Sequence, residues 1–243
     1  MPDLPSGLCL CSASVKLGGK LVLDRLDLKL TDRRIGILGR NGSGKTTLLR
    51  LLAGLIAPDA GTIRVDGFDP FTDRKAALSA IGILFQNPDH QILFPTVEEE
   101  LAFGLAQQGL PQREALARAH AALAAEGRAH WAKAPVTSLS QGQRHYLCLM
   151  SVLLMSPGTI LLDEPLAGLD MPTQSRLARR FAALPQRLVT ITHDPATLQG
   201  ADRVVWLEAG RVAADGPPAK VLPAFVAAMT REGARDADAD LAG

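Results

Sequence analysis

The residues best suited to chemistry lie in one glycine-rich stretch, GRNGSGKT at positions 39–46. An apolar run precedes it at 35–38, and positions 47–52 follow with helical periodicity, so the order is strand, loop and helix. Glycines permit a tight backbone whose N–H groups point at a phosphate over the positive end of the helix. Lys45 adds a charge for the phosphates, and Thr46 offers a hydroxyl to Mg²⁺. The stretch predicts nucleoside triphosphate binding rather than an ordinary turn.

Two carboxylates follow another buried strand. Positions 159–162 (TILL) read as that strand, and Asp163 and Glu164 come directly after it. An acidic residue leaving a strand beside a phosphate loop can hold Mg²⁺, and its neighbour can polarise an attacking water as a general base. A solvated turn is the alternative for an isolated Asp-Glu pair. Downstream of a complete phosphate loop, the pair predicts hydrolysis.

A second phosphate-binding helix end is indicated by LSQGQ at positions 139–143. Ser140 can cap the next helix, which then starts with free N–H groups, a hydroxyl and the small Gly142. One chain already has its phosphate loop, so we expect this end to serve the nucleotide of another subunit. A plain N-capped helix is the alternative.

The composition excludes several classes of protein. The 243 residues carry a net charge of +1, so a basic footprint for nucleic acid is missing. The longest strongly apolar run, 146–155, is too short to cross a membrane, and the start MPDLP lacks the features of a secretion signal. Three cysteines without paired spacing argue against a zinc or disulfide framework. We expect a cytosolic protein.

The hydrophobic pattern predicts an α/β fold. Strands alternating with helices imply a parallel sheet, and the first two strands, around Gly18-Gly19, suit an antiparallel sheet. Predicted strands cover 8–17, 21–30, 61–67, 80–85, 159–163, 188–192 and 203–207, and predicted helices cover 47–55, 112–126 and segments starting near 96 and 140. A helical insertion therefore interrupts the α/β core. The tail from Arg231 is expected to be solvated and mobile.

In the order of these motifs, the chain resembles the ATP-binding subunit of ABC transporters. The phosphate loop resembles the family's Walker A, 139–143 its signature motif and 160–164 its Walker B. Gln86 matches the Q-loop glutamine that touches Mg²⁺, positions 167–170 (AGLD) match the D-loop, and His193 matches the switch histidine that contacts the γ-phosphate. The resemblance implies a P-loop NTPase fold with an antiparallel β subdomain. It also implies a head-to-tail homodimer that sandwiches two ATP molecules.

The resemblance assigns a role to each candidate residue and a boundary to each part of one ABC ATPase domain, 1–243. The core is expected at 8–95 and 157–215, the helical subdomain at 96–156, and a C-terminal helix and tail at 216–243. The expected catalytic residues are Glu164, His193 and Lys45; the ATP contacts Gly39, Asn41, Gly42, Ser43, Gly44, Lys45, Thr46, Thr47 and Leu17; the signature contacts in trans Ser140, Gly142 and Gln143; the Mg²⁺ contacts Thr46, Gln86 and Asp163; and the D-loop dimer contact Asp170.

Leu17 departs from the family pattern. An aromatic residue usually stacks on adenine near the end of the first strand, and counting from Gly18 this position is Leu17. Leucine offers dispersion but no offset stacking, which is worth about 0.5–1.5 kcal/mol. We therefore expect looser base discrimination.

The segments at 86–91 (QNPDHQ) and 94–104 (FPTVEEELAFG) are similar to the energy-coupling-factor branch of the family. There this region forms a groove for arginine-carrying coupling helices of a membrane T component. Gln86 and the acidic run Glu98, Glu99 and Glu100 are the expected coupling residues, although a solvated helix face is the alternative for each glutamate. The implied partners are a T component and a substrate-binding membrane subunit, and the implied location is the cytoplasmic face of the membrane.

Within that branch the chain resembles the ATPases of cobalt or nickel importers, and nearly as much that of the biotin importer. We favour cobalt or nickel, but the cargo does not touch this subunit. A soluble ABC-type ATPase acting on ribosomes or DNA is the rival from another class, against which one cassette without sustained heptads argues. A nucleotide-binding regulator without hydrolysis is a second rival, and intact Glu164 and His193 argue against it.

Overall fold

The computed structural model describes residues 7–233. Its strands are β1 Leu8–Leu17, β2 Lys20–Leu30, β3 Arg34–Leu38, β4 Ala60–Val65, β5 Ile81–Leu84, β6 Thr159–Asp163, β7 Arg187–Thr192, β8 Arg203–Glu208 and β9 Arg211–Gly216. Its α-helices are α1 Lys45–Leu52, α2 Arg74–Ala80, α3 Val97–Gln107, α4 Gln112–Ala125, α5 Gln141–Leu154, α6 Met171–Ala183 and α7 Pro218–Gly233. Strands and helices alternate as predicted.

The first sheet is antiparallel, in the order β2-β1-β4. Gly18 and Gly19 join β1 to β2 with φ of 56° and 80°, and two positive φ values at the centre of a two-residue loop match the twist of a hairpin. Alternate residues of β1 and β2, among them Leu8, Leu10 and Leu28, turn into the core. This is the predicted antiparallel subdomain.

The second sheet carries the catalytic strands. Its order is β5-β6-β7-β3-β8-β9, and all neighbours are parallel except β8 and β9. Since β3, β6 and β7 run in the same direction, their carboxyl ends meet at one edge of the sheet. The sequence motifs at 39–46 and 163–164 and at His193 all follow those three ends. The α/β P-loop fold class is confirmed.

Helices α3, α4 and α5 lie between β5 and β6 in the chain and have a core of their own. Val97, Leu101, Leu123 and Leu147 are fully buried in it. A second cluster, which includes Cys148 and Leu162, joins α5 to β6. The signature motif is therefore supported by helices, whereas the phosphate loop is supported by the sheet.

The predicted boundaries that were wrong include the end of the first helix and the start of the C-terminal tail. Helix α1 was expected to run to residue 55, but it ends at Leu52 because Gly54 adopts φ of 68°. The Gly54 N–H donates to the Leu51 carbonyl, and the Leu55 N–H donates to the Arg50 carbonyl, which is the Schellman arrangement that closes a helix. At the other end of the chain, Arg231 belongs to α7, and the rest of the predicted tail, 234–243, lies outside the described residues.

We expect Cys148 to resist thiol reagents while the protein is folded. It is fully buried, and burial raises the pKa of its thiol to about 12, whereas Cys11 is exposed on β1. Labelling with an aromatic disulfide at pH 8 should modify Cys11 rapidly and Cys148 only with global unfolding. A Cys148→Ala variant is the control and should keep the full amplitude of the rapid phase. A smaller rapid phase in that variant would show that Cys148 reacts in the folded protein and would contradict the expectation.

Candidate active site

The phosphate loop joins β3 to α1 in a conformation that its glycines allow. Gly42 and Gly44 have φ of 79° and 101°. Gly39 has no room for a side chain, because a Cβ there would lie 2.4 Å from the Leu207 carbonyl oxygen and 2.5 Å from Ser43 Oγ. The loop therefore depends on glycine both for its backbone angles and for the close approach of β8.

Lys45 lies inside this loop. Its Nζ donates to the carbonyl oxygens of Gly39 at 2.7 Å and Arg40 at 2.8 Å, and the residue is buried. Burial lowers the pKa of Lys45, and the negative charges of Glu164 and Asp163 act in the opposite direction. The ammonium is thus held between the loop and the two Walker B carboxylates, where a phosphate chain can replace its carbonyl partners.

Ser43 is the second indication that the loop accepts an anion. Its Oγ is buried and has no hydrogen-bond partner within residues 7–233. A buried hydroxyl without a partner is costly unless a ligand or water satisfies it. Around it stand the free N–H groups of the first turn of α1, and Thr46 is exposed at the same helix end. These donors fit a phosphate chain, and the Thr46 hydroxyl and the Asp163 carboxylate are ligands that suit Mg²⁺.

Glu164 is oriented by the segment that ends β7. Its Oε2 accepts from Thr192 Oγ1 at 2.9 Å, and its Oε1 accepts from the His193 backbone N–H at 2.9 Å and lies 2.6 Å from His193 Nδ1. The Glu164 side chain is 12% exposed, whereas that of His193 is 55% exposed. Carboxylate and imidazole thus form one unit with the carboxylate held inside and the ring reaching outward.

Two further features of the Walker B pair fit a reactive site. Glu164 has φ of 46°, a strained value for a non-glycine residue that costs about 1–3 kcal/mol, and its N–H donates to the Ile191 carbonyl. Burial, with a contribution from the charge of Glu164, raises the pKa of Asp163. A bound cation would offset the repulsion between these carboxylates.

The signature motif begins α5 with a complete capping box. Ser140 Oγ accepts from the Gln143 N–H at 3.3 Å, and Gln143 Oε1 accepts from the Ser140 N–H at 2.7 Å. Among the residues that the structure describes, none accepts the hydroxyl proton of Ser140, so this proton can be donated to a phosphate oxygen. Gly142 has an additional reason to be glycine, because a Cβ there would lie 2.9 Å from Thr173 Cγ2.

The signature motif is not brought to the phosphate loop of the same chain. A pocket of about 400 Å³ opens beside Ser140 and Gly142, and its lining includes Asp170 and Arg176 but none of positions 39–46. Asp170 caps α6 by accepting from the Thr173 N–H at 2.8 Å, and Met171 next to it is 80% exposed. The pocket and the exposed Met171 both lie at the surface of the described chain.

Leu17 and Gln86 are accessible, as their predicted roles require. Leu17 is 42% exposed at the end of β1, near Leu21, which is 45% exposed. Gln86 follows β5, its side chain is exposed, and its backbone carbonyl accepts from His145 Nε2 at 3.1 Å. Asn41 and Gly42 are exposed in the phosphate loop, and Thr47 is buried in α1 behind it.

Replacing Leu17 by Tyr should strengthen ATP binding. If Leu17 lies against adenine, an aromatic ring adds stacking, and we expect an affinity gain of about twofold to tenfold from a contact of this kind. Calorimetry with ATP measures it, and Leu21→Tyr on the neighbouring strand is the matched control. Unchanged affinity in Leu17→Tyr would contradict the adenine contact.

The acidic run requires a correction. Glu98 is buried and paired within the chain, since its Oε2 lies 2.6 Å from His120 Nε2 and its Oε1 accepts from Lys133 Nζ at 2.5 Å. Glu100 is also buried, and its Oε2 accepts from the N–H groups of Leu93 and Phe94. These two carboxylates are not available to an arginine of a partner, because internal donors already use them. Glu99 is half-buried, accepts from Thr96 Oγ1 at 2.5 Å, and is the remaining candidate.

Two residues of the site were not recognised in the sequence. Thr192 orients Glu164 from 28 positions away, and His145 is fully buried between the Gln86 and Gln141 carbonyls. Neither belongs to a motif considered there. A polar residue within an apolar helical run, such as His145 before Tyr146 and Leu147, was the only available signal.

No helix within the described part of the chain is long and apolar enough to cross a membrane.

Comparison with known proteins identifies the family of this chain. The family model described as ABC transporter matches residues 23–167. Biotin transport ATP-binding protein BioM of Rhodobacter capsulatus is 56% identical, with 87% of this chain and 90% of that protein covered. Nickel import ATP-binding protein NikO of the same organism is 43% identical (84% and 86% covered), and energy-coupling factor transporter ATP-binding protein EcfA1 of Ligilactobacillus salivarius is 36% identical (83% and 74% covered).

Among solved structures, cbiO1 from Clostridium perfringens, part of the ABC transporter complex cbiONQ, superposes with a TM-score of 0.76 at 30% identity, with 90% of this chain and 92% of that chain covered. The chain therefore belongs to the ABC transporter family, as an ATP-binding subunit with ATPase activity, and it resembles the energy-coupling-factor branch.

Proposed function

We propose that this chain is the ATPase of an energy-coupling-factor importer, that it works as a homodimer, and that it acts at the cytoplasmic face of the membrane. The observation that carries the hydrolytic part is the Glu164 carboxylate, held by Thr192 and His193 at the sheet edge where Lys45 also lies. A carboxylate fixed by three donors beside a phosphate loop has the arrangement that water activation needs.

ATP would bind at the phosphate loop. The free N–H groups of the first turn of α1, the Ser43 hydroxyl and the Lys45 ammonium would hold the phosphates of ATP. Thr46, Asp163 and Gln86 would hold Mg²⁺, which when bound neutralises charge on the β- and γ-phosphate oxygens. Burial and the charge of Glu164 raise the pKa of Asp163, and a cation bound at this carboxylate would offset both effects.

Hydrolysis would then proceed through the Glu164 and His193 unit. Glu164 takes a proton from water as the water attacks the γ-phosphorus and the bond from that phosphorus to the β–γ bridging oxygen breaks, so that ADP leaves with the bridging oxygen. Lys45 stabilises the charge that develops on the phosphoryl oxygens. Thr192 keeps the carboxylate directed while the exposed His193 ring reaches the γ-phosphate. The contacts of the Glu164 carboxylate with Thr192 and His193, rather than its strained φ, fix this orientation.

The homodimer proposal rests on the separation of two phosphate-binding ends. Ser140 and Gly142 line a pocket that contains no phosphate-loop residue, so a second chain is needed to bring a nucleotide to them. Two copies arranged head to tail satisfy both sites with one interface. The exposed Asp170 and Met171 lie beside that pocket and would enter the interface.

Contact with a membrane T component is proposed at the segment after Gln86. Leu93 is 68% exposed, and Glu100 holds this turn in place through the backbone N–H groups of Leu93 and Phe94. The exposed Leu93 side chain, on a backbone held by Glu100, and the half-buried Glu99 would offer a coupling helix one apolar and one acidic contact. A substrate-binding membrane subunit, held by the T component, would complete the importer.

Two cargoes are candidates. Biotin is favoured by the higher identity to the biotin-transport relative, and cobalt or nickel, the choice in our sequence analysis, is favoured by the nickel-import relative. Cells lacking this chain should lose uptake of one labelled cargo and regain it with the wild-type chain but not with Glu164→Gln. Loss of biotin uptake alone would exclude the metal function, loss of cobalt or nickel uptake alone would exclude biotin, and no loss of either would contradict both.

The partners are tested by purifying the native complex from membranes through this chain. Copurification of a T component and a substrate-binding membrane subunit would support the assembly. Recovery only in a soluble fraction with ribosomes or DNA would contradict the importer while leaving the ATPase chemistry intact.

A further inference from the structure

His145 lies where two functional segments meet. It is fully buried in the second turn of α5, with Nδ1 3.3 Å from the Gln141 carbonyl oxygen and Nε2 3.1 Å from the Gln86 carbonyl oxygen. Gln141 belongs to the signature motif, and Gln86 begins the loop 86–91, called the Q-loop here. A single side chain thus touches both the segment expected to meet the partner's nucleotide and the segment expected to meet Mg²⁺.

The imidazole cannot satisfy both carbonyls while it is neutral. A neutral ring has one N–H donor, whereas two carbonyl oxygens face its nitrogens, at 3.3 Å from Nδ1 and 3.1 Å from Nε2. The Gln141 carbonyl lies four residues earlier in the helix, where it accepts from the backbone as well. The Gln86 contact is shorter and comes from a distant part of the chain, so it gains more from the single proton.

The other side-chain contacts that hold the Q-loop lie at its far end or at the surface. Gln91 closes the loop onto β5, since its Oε1 accepts from the Phe85 N–H at 3.1 Å and its Nε2 donates to the Ile83 carbonyl at 3.2 Å. Asp89 pairs with Arg144 at 3.1 Å, but Asp89 is 59% exposed and such a pair contributes little. His145 is therefore the buried tie at the start of the loop, next to the Gln86 side chain.

We propose that His145 is a positioning residue that links the Q-loop to the signature helix: by donating from Nε2 to the Gln86 carbonyl, it holds Gln86 where its side chain can reach the magnesium ion of the bound nucleotide. A movement of the Q-loop is then transmitted through His145 to the first turn of α5, next to Ser140 and Gly142. This role rests on the proposed function.

The first test needs no nucleotide. A glutamine at position 145 can donate from the place of Nε2, whereas an asparagine can donate only from the place of Nδ1, and leucine donates from neither. In full-length apo protein we expect amide hydrogen exchange across 86–92 to be about threefold to tenfold faster in His145→Asn and His145→Leu than in wild type, the effect of one lost hydrogen bond. His145→Gln should behave as wild type, and Asp89→Asn, which breaks the exposed pair, should change exchange by less than about twofold.

The second test measures ATP affinity with Mg²⁺ and with EDTA. Wild type, His145→Gln and Asp89→Asn should share the same gain on adding Mg²⁺, and the gain should fall about threefold to tenfold in His145→Asn. Affinity in EDTA should be equal in all four, because Lys45 and the loop N–H groups are untouched. Melting temperatures identify a variant that is unfolded. The comparison of His145→Gln with His145→Asn tests the positioning role even if His145→Leu does not fold.

The outcomes separate the two proposals. Equal exchange and equal Mg²⁺ gain in His145→Gln and His145→Asn would overturn the positioning role, since that result is expected of a residue that only fills space. Absence of ATP binding in wild type would overturn the proposed function instead, and the exchange experiment in apo protein would still report on the tie itself.

Discussion

Glu164→Gln should reduce ATP hydrolysis by about a hundredfold to ten-thousandfold, the usual contribution of a positioned general base, and leave ATP binding intact. The amide keeps the shape of the carboxylate and can still accept from Thr192, but it cannot take a proton from water. If two chains close on two nucleotides, the variant should accumulate as an ATP-loaded dimer, because the step that reopens it is blocked. Phosphate release and light scattering with Mg·ATP measure the two effects.

Glu208→Gln is the matched control for this variant. The charge of Glu208 also acts on Lys45, and its Oε2 accepts from Trp206 Nε1 at 3.0 Å, a bond that an amide oxygen can keep. We expect its hydrolysis to stay within about threefold of wild type, as for a substitution that leaves the general base in place. A Glu164→Gln protein that hydrolyses ATP at the wild-type rate would show that another group activates the water.

Lys45→Ala should weaken ATP binding by roughly a hundredfold or more, since it removes a charged donor to the phosphates. It also removes the donors to the Gly39 and Arg40 carbonyls, which loosens the loop. Arg40→Ala is the control, because it removes a cation of the same loop whose observed partner is the exposed Glu232. Calorimetry compares the two, and equal losses would show that Lys45 acts only through the net charge of the loop.

Mixing Lys45→Ala with Gly142→Asp tests the head-to-tail homodimer. Each variant alone has no intact site, because one lacks the phosphate-binding lysine and the other places a carboxylate at the signature helix end. A mixed dimer unites the intact phosphate loop of one chain with the intact signature of the other, so about a quarter of the wild-type activity should return if the sites are independent. Melting temperatures confirm that Gly142→Asp is folded despite the close Thr173, and mixtures without recovery would argue against shared sites.

Local sequence determined the parts of this protein whose chemistry is contiguous. The phosphate loop, the Walker B pair and the capped signature helix each need residues at fixed short spacings, so glycine, proline and polarity patterns predict them directly. The alternation of strands and helices likewise predicted the α/β class and the inserted helices, because hydrophobic periodicity follows secondary structure. The end of α1 was misplaced because the geometry of Gly54 closes the helix at Leu52, before the predicted end at residue 55.

Tertiary structure alone decided which polar side chains are paired. Glu98 and Glu100 read as an accessible acidic run, yet α4 and the segment before α5 bring His120 and Lys133 to Glu98, and the turn after β5 brings its N–H groups to Glu100. The same is true of Thr192 and His145, whose partners lie 28 and 59 positions away. Burial and pairing depend on which elements pack together, and helical spacing shows only which residues share a face, so the partners of a carboxylate become visible only once the chain has folded around it.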